Sequence, residues 1–306
     1  MKSTIEKALQ RQQQAKKSDN SQAKNTETAA LAQDVKSEIA DHVAEPQAGK
    51  SSSFTPEENF LEIDLERLES LGFVTTSDPR RRINEEYREI KRKLIQNAFG
   101  PLSKTLSNSN IIMVTSARPS EGKTFTAVNL ALSIAAEQDK TVLLVDADVL
   151  KPNVLKTLDL RAKKGLMDYL LSDSEPLSQY IYRTNVDKLR IIPAGSSHHL
   201  STELLASAIM HETVNEFSTR YPDRIVIIDT PPIIGINESA ILASFAGQAV
   251  VVVEEGKSKL PDIESSVERL NPDMAVGFVV NKSINMTEAG GYYGYYYGHE
   301  PKPDKE

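Results

Sequence analysis

Residues 117–124 read Ala-Arg-Pro-Ser-Glu-Gly-Lys-Thr, after an apolar run IIMVTSA (111–117) and at the start of a segment with helical periodicity (122–137). Gly122-Lys123-Thr124 opening a helix behind a strand is the ending of a phosphate-binding loop. Backbone N–H groups of Ser120, Glu121, Gly122, Lys123, Thr124 and Phe125, converging at a helix N-terminus, suit phosphate oxygens. The Lys123 ammonium would reach the β- and γ-phosphates, and the Thr124 hydroxyl would ligate Mg²⁺. Two positions depart from the usual pattern. Ala117 stands where it begins with Gly, which is tolerable if φ stays negative, and Ser120 stands where a flexible Gly is expected.

A second apolar run ends LLVDADVLKP (143–152) and a third ends VIIDTPP (226–232). They place Asp146, Asp148 and Asp229 at the carboxyl ends of strands, where open α/β sheets hold their ligands. The period-2 spacing of Asp146 and Asp148 directs both to one side if the strand runs that far. Three carboxylates at the ends of apolar strands are costly to bury without a cation, and Mg²⁺ is the economical one. The five His residues show no metal-ligand spacing, and His198-His199 reads as an exposed loop pair.

The elements that must position these groups are apolar runs at 111–117, 141–147, 189–194, 224–230, 249–255 and 275–282. Helical periodicity occupies 122–137, 201–219 and 259–270 between them. Strands buried on both faces read as continuous Val/Ile/Leu runs, and their alternation with helices predicts a doubly wound, mostly parallel α/β sheet. Upstream, 60–73 carries Leu65, Leu68 and Leu71 at helical spacing, and 77–99 reads as a charged amphipathic helix. The chain therefore divides into a low-complexity region read as disordered (1–53), a helical prelude (54–104), a nucleotide-binding domain (105–284) and a flexible tail (285–306). Residues 1–53 contain no aromatic residue and cannot bury enough apolar surface to offset ordering.

Across 306 residues, 36 basic and 43 acidic side chains leave a net charge of −7, which argues against retention on nucleic acid. Cys is absent, so disulfides and thiolate chemistry are excluded. No apolar run approaches the ~18–20 residues of a membrane span, and no apolar core follows the basic N-terminus as in a secretory signal. A cytoplasmic location is expected. Ten Tyr outnumber eight Phe, and five of them, Tyr292, Tyr293, Tyr295, Tyr296 and Tyr297, sit in the tail GGYYGYYYG.

Taken together, these motifs resemble the bacterial tyrosine kinases, a P-loop family that phosphorylates tyrosines and regulates exopolysaccharide assembly. Gly122-Lys123-Thr124 matches that family's Walker A. Leu143–Asp148 with Pro152 matches its Walker A′, and Ile225–Pro232 matches its Walker B. Glu85, Arg88 and Lys91 fit its Glu-x-x-Arg-x-x-Arg subunit helix with a conservative last change, and the tyrosine cluster fits its C-terminal tail. Gly165–Leu170, Pro193-Ala194-Gly195 and Glu203-Leu204-Leu205 are lesser matches. Leu150, Glu238 and Glu254 depart from the family's usual Arg, Asp and basic residue.

The resemblance implies a MinD/ParA-like fold and an ATP- and Mg²⁺-dependent tyrosine autokinase of exosortase-associated exopolysaccharide loci. Lys123, Asp146 and Asp148 would be catalytic, with Asp146 orienting or deprotonating the tyrosine hydroxyl, although the roles of Asp146 and Asp148 could be reversed. Thr124, Asp148 and Asp229 would form the metal shell. Asn281 lies where related ATPases place a purine-contacting Asn, and a turn-forming Asn explains it as well. Glu85, Arg88 and Lys91 would join subunits of a ring. The remaining implied partners are a separate transmembrane chain-length protein, which recruits and activates the kinase at the inner membrane face, and a cognate tyrosine phosphatase. The alternatives are a nucleotide-switched positioning ATPase, whose signature Lys would fall at Arg118, and a catalytically weak scaffold.

Overall fold

The computed structural model describes residues 59–75, 80–172 and 174–283. The region 1–53 and the tail with Tyr292, Tyr293, Tyr295, Tyr296 and Tyr297 lie outside them. In chain order the elements are β1 (Phe60–Leu61), α1 (Leu65–Ser70), α2 (Arg82–Phe99), β2 (Ile111–Ser116), α3 (Lys123–Ala135) and β3 (Thr141–Asp146). There follow α4 (Val154–Leu158), α5 (Leu166–Leu170), β4 (Tyr182–Thr184), β5 (Leu189–Ile192), α6 (Ser201–Leu205) and α7 (Ala208–Thr219). The last are β6 (Arg224–Asp229), α8 (Asn237–Ala243), β7 (Gln248–Glu254), α9 (Leu260–Glu268) and β8 (Ala275–Asn281).

The strands form one sheet in the order β1-β4-β5-β3-β6-β2-β7-β8. From β5 to β8 every neighbouring pair is parallel, whereas β4 is antiparallel to β5 and carries β1 beside it in parallel. Alternate residues face opposite layers. Ile111, Met113, Leu143, Val145, Val226, Ile228 and Val251 pack with Leu166, Met210 and Leu242 from α5, α7 and α8. Ile112, Val114, Leu144, Ile227 and Val252 pack instead with Ala127, Leu130 and Ile134 of α3. Each fully buried aliphatic side chain contributes about 1.5–3 kcal/mol, so a two-faced core of this kind holds the strand ends firmly.

The prelude is a second cover on α3. Tyr87 and Leu94 of α2, with Leu61, Leu68, Phe73 and Val74, join the same buried cluster as α3. Asn129 of α3 accepts from the Val74 amide at 2.7 Å and donates to the Phe125 carbonyl at 2.8 Å. Helix α3 is therefore buried on nearly all sides, which its apolar character requires.

Three local expectations are corrected. Residues 60–73 are not one helix: Phe60 and Leu61 pair with Arg183 and Thr184, and the Asp64 side chain caps α1 by accepting from the Arg67 amide. The 201–219 segment is two helices, because the Ser207 hydroxyl accepts from the Met210 amide and starts α7 anew. The strand containing Asp146 stops there, so Asp148 stands beyond it and does not share a strand face with Asp146.

Candidate active site

The carboxyl edge of the sheet collects the ends of β2, β3, β6, β7 and β8, and the phosphate-type loop lies across it. Ala117 is buried and does not take a positive φ, which is why its Cβ is tolerated. Ser120 does take one, φ +70°, a left-handed conformation that costs a residue with a Cβ roughly 1–2 kcal/mol. Gly122 has φ +104°, and a Cβ there would lie 1.9 Å from the Asn281 side-chain nitrogen.

The loop is braced from three directions. The Glu121 side chain turns inward, accepting from the Arg118 amide at 2.8 Å and from the Ser258 hydroxyl. Arg118 makes a two-pronged pair with Asp262 of α9 at 2.9 and 2.8 Å. From β8, Asn281 Nδ2 donates to the Glu121 carbonyl at 2.9 Å, and Lys282 Nζ to the Ser120 carbonyl at 2.7 Å. Lys282 also pairs with Glu254 at 3.0 Å, which accounts for an acidic residue at that position. Sequence reasoning missed Ser258, Asp262 and Lys282, since they reach the loop from elements more than a hundred residues downstream and carry no motif of their own.

The three acids occupy different environments. Asp146 and Asp229 stand opposite each other in the β3–β6 pairing. Thr124 donates to Asp229 Oδ2 at 2.7 Å, and Lys123 Nζ lies 2.5 Å from Asp148 Oδ2 and 4.0 Å from Asp229 Oδ1. Asp229 Oδ1 is buried and has no hydrogen-bond partner among the described residues. Such an orphaned carboxylate oxygen, beside a hydroxyl that still offers lone pairs, fits a hard divalent cation or its water. Among the described residues no three His, Asp or Glu side chains enclose a metal by themselves, so a cation here would draw its remaining ligands from phosphate and water.

Asp146 accepts from the Asn153 and Val154 amides at 3.1 and 3.0 Å and from the Asp148 amide at 3.3 Å. Burial, then the facing Asp229 carboxylate, raise its pKa well above the usual carboxylate range. Burial raises Asp229 as well, against the opposing pull of Lys123 and Thr124.

Not every expected residue meets at this edge. The Phe125 ring packs on Phe73 with centroids 4.7 Å apart, leaving its amide as the group nearest the loop's function. Glu85 and Arg88 form an ion pair on α2. Lys91 does not join them at the surface: it is buried, donates to the Ser133 carbonyl at 2.8 Å and pairs with Glu137 at 2.6 Å. With Asn84 and Arg88 it lines a cavity of about 290 Å³ at the far end of α3. Glu238 is buried, accepting from the Ser201 and Thr202 hydroxyls at 3.0 and 2.9 Å and so holding α6. Asp168 ties the first lesser match to the residue after the second by accepting from the Gly165 and Ser196 amides.

A family model described as an AAA domain matches residues 109–269. The chain is 32% identical over 224 residues to tyrosine-protein kinase YwqD of Bacillus subtilis, covering 72% of this chain and 90% of that protein. It belongs to the bacterial tyrosine-protein kinases. Tyrosine-protein kinase CpsD of Streptococcus agalactiae is 32% identical and 82% covered. The longer putative tyrosine-protein kinase EpsB of Ralstonia nicotianae is 34% identical, and this chain spans 27% of its length. Among solved structures, the chimerical protein CapA2B2 aligns with a TM-score of 0.59 at 26% identity, covering 72% of this chain and 99% of that one. The mostly parallel α/β sheet is the fold this chain shares with that structure. No helix among the described residues is long and apolar enough to cross a membrane.

Proposed function

We propose that this bacterial tyrosine kinase uses Mg·ATP to phosphorylate its own tail tyrosines, Tyr292, Tyr293, Tyr295, Tyr296 and Tyr297, in trans between subunits of a ring. The observation that carries the reading is the Lys123–Asp148 pair beside the orphaned Asp229 oxygen and the Thr124 hydroxyl, at the mouth of a braced phosphate loop. The loop amides from Ser120 to Phe125 bind phosphate oxygens. Lys123 leaves Asp148 for the β- and γ-phosphates, and Asn281 keeps the loop closed beneath them. Thr124 and Asp229, with Asp148, hold Mg²⁺, which when bound neutralises charge on the β- and γ-phosphates.

Phosphoryl transfer forms a bond from the tyrosine oxygen to the γ-phosphorus and breaks the bond from that phosphorus to the bridging oxygen. The phenolic proton needs a base, since a free tyrosine titrates near 10. Asp146 takes it: a carboxyl held above its ordinary range by burial suits proton acceptance near neutrality.

Each phosphate adds about −1.5 to −2 charges to a tail held near an acidic body, so repeated transfer loosens a ring joined through Glu85 and Arg88. The enzyme works in the cytoplasm, recruited to the membrane by a separate transmembrane chain-length protein of exopolysaccharide export, and a tyrosine phosphatase resets it. Incubating the full chain with Mg·ATP and mapping phosphotyrosine by mass spectrometry tests this. Phosphate on 292–297 that disappears in Lys123→Met is expected. An unmodified tail, even with the cytoplasmic segment of the membrane partner added, would refute it.

A further inference from the structure

Among the described residues the sheet ends on β8, and α9 covers that strand incompletely. Phe278 and Val280 are 52% and 61% exposed, and across from them Leu260 of α9 is 66% exposed. Phe278 and Leu260, with Val253, Ile263 and Val267, flank an apolar groove of about 540 Å³ whose rim carries Glu264 and Glu268. Among the described residues no Lys or Arg lines it. Among the described residues β8 has β7 as its sole neighbour, so its outer edge is an open template for another strand. An apolar groove beside an open edge is a docking surface rather than scattered surface hydrophobes.

What lies within reach is the rest of this chain. Residues 284–306 follow the end of β8 after two intervening residues. Residues 284–291 span up to ~27 Å when extended, and the whole of β8 is ~24 Å long, so Tyr292 and its neighbours can return to any level of the strand. The segment GGYYGYYYG has no charge, and in an extended chain Tyr293, Tyr295 and Tyr297 fall on one side. A tether this short holds the tail at an effective concentration on the order of millimolar, well above any free competitor.

We propose that the unphosphorylated tail of the same chain returns along the open edge of β8 and seats its tyrosine rings in the groove between β8 and α9, and that phosphorylation expels it. The expulsion rests on the kinase reading above; the docking does not. Phosphates carrying about −1.5 to −2 charges each meet Glu264 and Glu268, with no cationic side chain among the described residues of the groove to offset them. The tail is then withheld from neighbouring subunits until it undocks, and once modified it does not rebind.

Hydrogen exchange read by mass spectrometry on the full chain tests both halves. The chain carrying Lys123→Met, which stays unmodified, is compared with the same chain also carrying serine at Tyr292, Tyr293, Tyr295, Tyr296 and Tyr297. Amides of 276–280 should exchange about tenfold faster in the serine variant, because a docked tail shields the edge roughly nine-tenths of the time. Equal exchange in the two chains overturns the docking. Protection that grows with protein concentration overturns it too, assigning the groove to a second copy. Phe278→Asp should reproduce the faster exchange at 276–280 and speed tail phosphorylation severalfold in the otherwise unaltered chain. In the active enzyme, phosphorylated protein should match the serine variant, and continued protection of a phosphorylated tail overturns the expulsion. An unmodified tail in the active enzyme would instead count against the kinase reading, leaving the docking comparison intact.

Discussion

Gly122→Ala isolates how much of nucleotide binding depends on the shape of the phosphate loop. The new Cβ would lie 1.9 Å from Asn281 Nδ2, so the Asn281 side chain must withdraw from the Glu121 carbonyl it now bonds at 2.9 Å. Losing that bond costs about 1 kcal/mol. Holding an alanine at φ +104° costs a further ~1–2 kcal/mol, and relaxing it instead turns the Lys123 amide away from the phosphate. The bound loop is therefore disfavoured by ~2–3 kcal/mol, a loss of roughly 30- to 150-fold in ATP affinity. Asn281→Ala alone forfeits only the hydrogen bond and should weaken binding about fivefold. Because Gly122→Ala has already broken that bond, the double variant should fall within about twofold of Gly122→Ala, a coupling of about 1 kcal/mol. Titration with a fluorescent ATP analogue in Mg²⁺ measures all four proteins, and thermal melts confirm that each is folded. Affinity of Gly122→Ala within about threefold of the parent, or losses that simply add in the double variant, would refute the reasoning.

Asp229→Asn should separate stability from function. A buried carboxylate whose pKa is raised by burial destabilises the fold when ionised, and Asn can still accept from Thr124. In metal-free buffer its melting temperature should rise by about 2–4 °C per kcal/mol recovered, while Mg²⁺-dependent tail phosphorylation falls by at least about 100-fold. A fall in the melting temperature would show that the charge is stabilised by contacts the geometry does not contain. Lys91→Met should lower it by roughly 5 °C, because a buried ammonium joining Ser133 and Glu137 is worth about 1.5–3 kcal/mol. Arg88→Ala, which removes a half-buried side chain paired with Glu85 at the cavity Lys91 also lines, should change the melt by no more than about 2 °C and weaken self-association measured by analytical ultracentrifugation. The reverse pattern would return Lys91 to the subunit contact.

Much of the site was legible because its parts are local. A strand buried on both faces cannot hide its apolar run, so 111–117, 141–147 and 224–230 each lie within a residue of the observed strands, and Asp146 and Asp229 at the ends of the last two came with them. The tolerance of Ala117 was conditional on its φ, and the condition is met. The short pieces fared differently. Phe60-Leu61 and Tyr182–Thr184 are too brief for periodicity to identify, and they are strands because each finds a partner more than a hundred residues away or across a turn. Lys91 satisfied a motif by spacing alone. Its inward direction depends on where α2 lies against α3, which α2's own residues do not specify.

The order of chemical groups along the chain, Gly-Lys-Thr after one strand and an Asp at the end of two others, was set by the sequence alone, because backbone direction and strand period follow from neighbouring residues. Tertiary structure decided which groups share an environment. It set Asp146 against Asp229, drew Lys123 to Asp148, and brought Ser258, Asp262, Asn281 and Lys282 onto a loop far upstream. Those contacts come from sheet order, and sheet order is settled by burying both faces of every central strand at once, a condition that no single segment contains.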